Sequence, residues 1–73
     1  MNNFLNIMEP IKFLAIMLGG MITCAEEDVL NIEFDIGIAP LMEQIISDID
    51  YLETTTSYHK LSNTSHIKIW IVR

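Results

Sequence analysis

The first strong pattern in the chain is a strict alternation of apolar and polar positions over residues 31–38. The apolar members, which share one side of an extended chain, are Ile32, Phe34, Ile36 and Ile38. A period of two over this length predicts a half-buried β-strand. Ala39 and Pro40 then turn the chain, and Pro40 suits the first position of a helix, where its missing N–H is no loss.

The period changes to 3.6 residues after this turn, which predicts an amphipathic helix over residues 40–52. Its apolar stripe consists of Leu41, Ile45, Ile49 and Leu52, widened by Met42 and Ile46. The opposite side of the helix holds Glu43, Ser47 and Asp50. The stripe is therefore expected to pack on the preceding strand.

The C-terminal residues 66–73 alternate again and predict a further strand. Its inward positions are Ile67, Ile69 and Ile71, and its outward positions are Lys68, Trp70 and Val72. Between helix and strand, residues 54–58 are rich in threonine and predict a short strand, whereas residues 61–65 predict a loop. If the C-terminal strand lies at an edge of the sheet, it is also expected to be able to pair with a strand of a partner.

Residues 13–25 form an uncharged apolar run that precedes all of these elements. Its length matches the ~7–15 residues of a secretory signal core better than the ~20 of a membrane span. Lys12 precedes the run and small residues end it at Ala25, which predicts a cleaved signal peptide over residues 1–25. The alternatives are an uncleaved membrane anchor through residues 11–25 and a buried helix, which the two glycines in the run disfavour.

Cys24, the single cysteine, has two possible fates under this prediction. It leaves with a cleaved leader, or it is lipidated and becomes the mature N-terminus. The predicted fold class is α+β, a small β-α-β-β unit after an N-terminal apolar leader helix. Residues 26–73 are expected to form the interaction domain, complete or truncated.

Charge and composition narrow the classes of partner and chemistry. Ten acids against four bases give a net charge of −6, which argues against nucleic acid, because phosphate binding needs a basic surface. After the leader, every acid lies in residues 26–53 and every base in residues 54–73. The two halves are expected to attract each other or to offer different faces to partners.

No constellation of residues predicts an active site. His59 and His66 are separated by a polar loop, without a cysteine or carboxylate at metal-ligand spacing. Asp48 and Asp50 point to different sides of the predicted helix. We therefore expect neither an enzyme nor a protein with a cofactor or a metal, and we interpret the histidines as surface residues.

A short motif in the middle of the chain carries a resemblance to a known family. Phe34-Asp35-Ile36, then Pro40-Leu41, Ile45 on the helix and Ser57-Tyr58 fall without a gap into the register of one such family. This part of the chain, about residues 30–60, resembles the secretin and TonB N-terminus short domain (STN). Asp48 stands where that family has a second helix leucine, and the glycine that ends its helix is missing here.

The resemblance implies a periplasmic or outer-membrane domain that works by binding. Its partner would be a periplasmic anti-sigma regulator, to which it relays receptor state, or a component of a secretion pore. The residues expected to contact a partner, chosen by exposure and not by the family, are Glu33, Asp35, Glu43, Asp50, Lys68 and Trp70. The alternatives are an inner-membrane-anchored accessory protein and a truncated reading frame without a function of its own.

Overall fold

The computed structural model describes residues 7–72 and contains six elements. In chain order they are α1 (Met8–Met17), β1 (Met21–Ala25), β2 (Val29–Asp35), α2 (Ala39–Ser47), β3 (Leu52–His59) and β4 (Thr64–Ile71). The four strands form one antiparallel sheet in the order β1-β2-β4-β3. The predicted α+β class is confirmed, and the predicted β-α-β-β unit corresponds to β2-α2-β3-β4.

A single hydrophobic core joins both helices to one face of the sheet. Its members are Met8, Ile11, Ala15, Leu30, Ile32, Phe34, Ala39, Met42, Ile46, Leu52, Ile67 and Ile69. The strand residues in this set fall on alternate positions, as the period of two requires. The other face of the sheet therefore points away from the helices.

The strand predicted over residues 31–38 begins and ends earlier, at Val29–Asp35. Ile32 and Phe34 are buried as expected. Ile36 and Ile38 instead lie in a turn, which the N–H of Ile38 closes by donating to the Asp35 carbonyl oxygen at 2.9 Å. The alternation of apolar residues continues to Ile38, beyond the end of the strand at Asp35. The pattern therefore predicts a strand that is too long at this end.

The helix predicted over residues 40–52 is shorter and rotated, since it spans Ala39–Ser47. Its buried side is centred on Met42 and Ile46, while Leu41 is 49% exposed. The helix ends because bonds of the i to i−3 type tighten its last turn, including Ile49 N–H to Ile46 O at 3.0 Å. Leu52 then begins β3 opposite Ile71 and takes no part in the helix.

The C-terminal strand is interior to the sheet and is not an edge. β4 pairs with β2 on one side and with β3 on the other. The condition for pairing with a strand of a partner is therefore not met, because both sides of β4 are already paired. Ile67 and Ile69 are buried and Lys68 is exposed, as predicted, while Arg73 lies outside the described residues.

Residues 8–25 of the predicted leader form α1 and β1, and residues 1–6 lie outside the described part. Gly19 ends α1 with φ of +86°, the left-handed conformation that glycine favours. The N–H of Gly20 donates to Ala15 O at 2.7 Å and that of Gly19 to Ile16 O at 3.0 Å. These two bonds form a Schellman motif, which ends the helix and turns the chain into β1.

The space beside Gly20 is too small for any side chain, whereas the space beside Gly37 is open. Substitutions at these two glycines therefore form a matched pair. A Cβ atom at Gly20 would lie 2.6 Å from Phe34 Cε1 and 2.8 Å from Ile32 Cγ2. We expect Gly20→Ala to destabilise the fold by about 1–3 kcal/mol through overpacking. Gly37, whose added Cβ would meet nothing within 4 Å, is the control. Urea unfolding of both variants tests this, and equal stability of Gly20→Ala and Gly37→Ala would contradict the packing.

Candidate protein-interaction surface

The side of the sheet that faces away from the helices is defined here as the outer sheet face. It comprises Met21 and Cys24 on β1; Val29, Asn31, Glu33 and Asp35 on β2; Thr64, His66, Lys68 and Trp70 on β4; and Glu53, Thr55, Ser57 and His59 on β3. Every one of these side chains is exposed or half-buried. Within residues 7–72, no helix packs on this face.

The structure brings together four of the six residues predicted to contact a partner. Glu33 and Asp35 on β2 and Lys68 and Trp70 on β4 all point to the outer sheet face. Strand periodicity explains this outcome, because each pair is separated by two positions along its strand. The acidic and basic halves of the chain thus place acidic side chains on β2 beside a basic side chain on β4.

Glu43 and Asp50 lie elsewhere and do not join this group. Glu43 is on α2, where its carboxylate accepts a hydrogen bond from the Tyr58 hydroxyl at 3.2 Å. Asp50 is exposed in the turn between α2 and β3. The helix-based prediction placed both on the solvent side of one long helix, and the early end of α2 separates them.

Trp70 is half-buried and lies in a cross-strand row between Val29 and Glu53. The ammonium nitrogen of Lys68 is 5.8 Å from the centroid of its ring, within the ~6 Å range of a cation–π contact. A half-buried indole that is flanked by charge combines an apolar area with polar contacts. Such residues are enriched at the centres of protein interfaces.

A second row of side chains crosses the outer sheet face at His66. Its Nε2 lies 3.3 Å from Glu33 Oε1, an ion pair when the imidazole is protonated. His59 packs edge-on against His66, with ring centroids 5.2 Å apart. The sequence pattern predicts two surface histidines but not the contact between them. The predicted loop over 61–65 was the signal that could have joined them, because a hairpin there brings both ends together.

One further polar contact fixes the end of this face. Asn63 has φ of +57° in the turn between β3 and β4, and its side-chain amide donates to Asp35 Oδ1 at 3.0 Å. Asp35 is therefore held by the turn, while Glu33 contacts His66 and Lys68 contacts the ring of Trp70.

In the described part of the chain, no cluster of three or more His, Cys, Asp or Glu side chains has the geometry to hold a metal ion. Neither helix of residues 7–72 is long and apolar enough to cross a bilayer. No family model, curated protein or solved structure matches this chain significantly. The resemblance to the STN family thus rests on its motif alone.

The Tyr58–Glu43 contact predicts a measurable change in titration. Partial loss of solvent, then the hydrogen bond to Glu43 and its negative charge, raise the pKa of Tyr58 above its ordinary value of 10.0. Glu43→Gln removes the charge, so we expect the pKa of Tyr58 to fall. Absorbance titration of the phenolate measures this, with Tyr51→Phe in both proteins so that one tyrosine remains.

The raised pKa of Tyr58 determines how its contribution to folding stability depends on pH. A folded-state pKa above the unfolded value means that the fold favours the protonated phenol. The contribution is complete below the unfolded pKa and is lost as the pH rises through the folded one. An unchanged pKa in Glu43→Gln would show that the contact does not form in solution.

Proposed function

We propose that this chain is a protein-interaction domain that binds a protein partner through its outer sheet face. The observation that carries the proposal is the placement of Trp70, Lys68 and Glu33 together on a sheet face that no described element covers. An aromatic anchor surrounded by charged groups suits a protein surface with an apolar centre and a polar rim. The net charge of −6 favours a partner with basic groups at that rim.

The resemblance to the STN family supports a finer version of the proposal. In this version the chain is a periplasmic or outer-membrane signalling domain of the TonB-dependent receptor or secretin type. It relays receptor state to a periplasmic regulator, or it docks within a secretion pore. Glu33, Lys68 and Trp70 lie on β2 and β4, after Ala25, so cleavage after Ala25 would leave all three in the mature chain.

A second candidate, a membrane-associated accessory protein, is favoured by the outer side of α1. Phe13, Ile16 and Met17 are exposed on that side. Large apolar side chains on one side of a helix suit a lipid interface. Intact mass of the protein from a fractionated bacterial host separates the candidates. A periplasmic species that begins at Glu26 supports the signalling domain, and a full-length species in the inner membrane supports the accessory protein.

Fluorine NMR on the single tryptophan tests the binding surface directly. Protein labelled with 5-fluorotryptophan gives one resonance, which we expect to shift or broaden on addition of periplasmic or membrane extract from a Gram-negative host. Lys68→Glu and Glu33→Lys should reduce this change, whereas Leu61→Ala, in the turn between β3 and β4, should leave it intact.

A second label controls for effects away from the outer sheet face. In protein labelled with 3-fluorotyrosine, Tyr58 reports on the contact with α2 and is expected to respond less than Trp70. A Trp70 resonance that stays unchanged in both extracts would contradict the proposal. Equal responses in wild type, Lys68→Glu and Glu33→Lys would move the binding site away from this face.

A further inference from the structure

The two edges of the sheet differ in how well they are protected against pairing with another strand. β1 has five residues, and a register shift between Ile22 and Cys24 interrupts its pairing with β2. Short length and bulges are two of the devices that prevent edge-to-edge association. The edge formed by β1 is therefore protected against pairing with a further strand.

β3 lacks all of these devices. It has eight residues, pairs with β4 from Leu52 to His59 without a register shift, and contains no proline and no lysine. Its centre, Thr54 to Thr56, is β-branched and favours an extended chain. A long and regular strand of this kind is a template for a further strand.

The hydrogen-bond pattern identifies which groups of β3 are free to pair. The N–H of Val72 donates to Tyr51 O at 2.8 Å, so Tyr51 and Val72 face each other within the ladder. The N–H groups of Leu52 and Ile71 bond to Ile49 O and Asp28 O, away from the β3–β4 ladder. Alternation along an antiparallel pair then directs the N–H and C=O groups of Thr54, Thr56 and Tyr58 toward the open edge.

We propose that two copies of this chain pair through their β3 edges, antiparallel and about a two-fold axis at Thr56. In this register Thr54 lies opposite Tyr58 of the second copy, and Thr56 lies opposite Thr56. All three outward-facing residues of each copy thereby gain backbone partners. The result is a continuous eight-stranded sheet, and the inference is independent of the function proposed above.

The side chains that oppose each other in this register are compatible with a second copy of the chain at the β3 edge. On the outer sheet face, Glu53 lies opposite His59 of the second copy, a pair of opposite charges when the imidazole is protonated, and no two like charges oppose each other. On the helix side, Thr54 and Tyr58 form a β-branched and aromatic cross-strand pair. An isologous pairing of this kind closes on itself and does not continue into a fibre.

Thr56 supplies a separate observation in favour of this register. Its hydroxyl oxygen is the buried side-chain polar atom that lacks a hydrogen-bond partner among the described residues. Buried polar groups normally have partners, and threonines opposite each other on neighbouring strands can hydrogen-bond. The two-fold axis places a second threonine opposite Thr56, so that rotation of the side chain toward the open edge would bring the two hydroxyls together.

Sedimentation equilibrium and amide exchange of the full chain test the pairing at up to about 1 mM, where an interface with a millimolar Kd is populated. We expect a species of twice 8.4 kDa. The amides of Thr54, Thr56 and Tyr58 should become protected as concentration rises, while those of Thr55 and Ser57 stay protected throughout. A monomer at every concentration would overturn the proposal, as would protection of these amides only when another polypeptide is added.

The single cysteine distinguishes the two edges. In the proposed dimer, Cys24 lies seven strand spacings from Cys24 of the second copy, ~34 Å at ~4.8 Å per spacing. Spin labels on Cys24 should therefore give a distance near this value. A short distance would indicate pairing through β1 and would overturn the proposal.

Charge reversal tests the register with exposed residues, so that folding is preserved. When the imidazole of His59 is protonated, Glu53→Lys faces it across the interface with a like charge, and under that condition we expect at least a tenfold rise in the dimer Kd. His59→Glu added to Glu53→Lys restores an opposite pair and should recover most of the loss. Thr23→Lys on β1 is the control and should leave the Kd unchanged. A double variant as weak as Glu53→Lys would contradict this register.

Discussion

A chain that begins at Glu26 is expected to lose cooperative unfolding, whereas a chain that begins at Ile7 is expected to keep it. The shorter chain lacks α1 and β1, while the longer one retains all six described elements. Thermal and urea unfolding followed by circular dichroism compare the two. This is the largest effect that we expect from any change to the protein.

The physical reason lies in what α1 and β1 cover. Met8, Ile11 and Ala15 are buried against the sheet, and full burial of an Ile or Met side chain stabilises by about 1.5–3 kcal/mol. Removing β1 also turns β2 into an edge strand and leaves its ladder groups on that side unpaired. Domains of this size rarely hold more than ~3–5 kcal/mol, so the loss is comparable to the whole stability.

The outcome also bears on the leader. If the chain that begins at Glu26 unfolds cooperatively with the stability of the longer chain, α1 and β1 are dispensable, and cleavage after Ala25 leaves a folded domain. If it does not, the protein that carries the outer sheet face must retain these residues. Intact mass of the protein from cells then shows which form exists.

The fold was predictable from periodicity where one face of an element is buried. Ile32, Phe34, Ile67 and Ile69 lie on the core side as their alternation predicted, because a strand with one buried face has no other register. The residues at which helices and strands begin and end were less predictable. Leu52 continued the helical stripe but pairs with Ile71 in the sheet, and a tertiary contact of that kind leaves no local signal.

The leader region shows a different limit of sequence patterns. The run over residues 13–25 is apolar, and composition alone does not separate a secretory core from a helix and an edge strand. Gly19 and Gly20 counted against a continuous buried helix, and they do end α1. The strand that follows them was missed because five residues are too few to establish a period of two.

The candidate surface was partly predictable for the same reasons. Alternation along residues 66–73 placed Lys68 and Trp70 on the outward side, and the structure agrees. The interior position of β4 depends on strand order, which local patterns do not encode. The partners of Glu43 and His66 depend on the same order, since Tyr58 and Glu33 come from other elements.

Phe34→Ala is expected to cost about 3–5 kcal/mol, which leaves most molecules unfolded without denaturant if the domain holds only ~3–5 kcal/mol. Phe34 is 1% exposed and is one of the largest fully buried side chains of the core, so truncation removes its transfer free energy and leaves a cavity. Phe34→Leu keeps most of the volume and is expected to cost about 1.5 kcal/mol or less. The free energy of unfolding in urea measures both.

Phe13→Ala provides the matched control, because the residue type and the change are the same. Phe13 is 66% exposed on α1, and its truncation should change stability by no more than ~0.5 kcal/mol. A loss at Phe13 as large as that at Phe34 would mean that the outer side of α1 is covered in the native protein. The exposed placement of Phe13, Ile16 and Met17 would then be wrong, and so would the support that it gives to a membrane-associated protein.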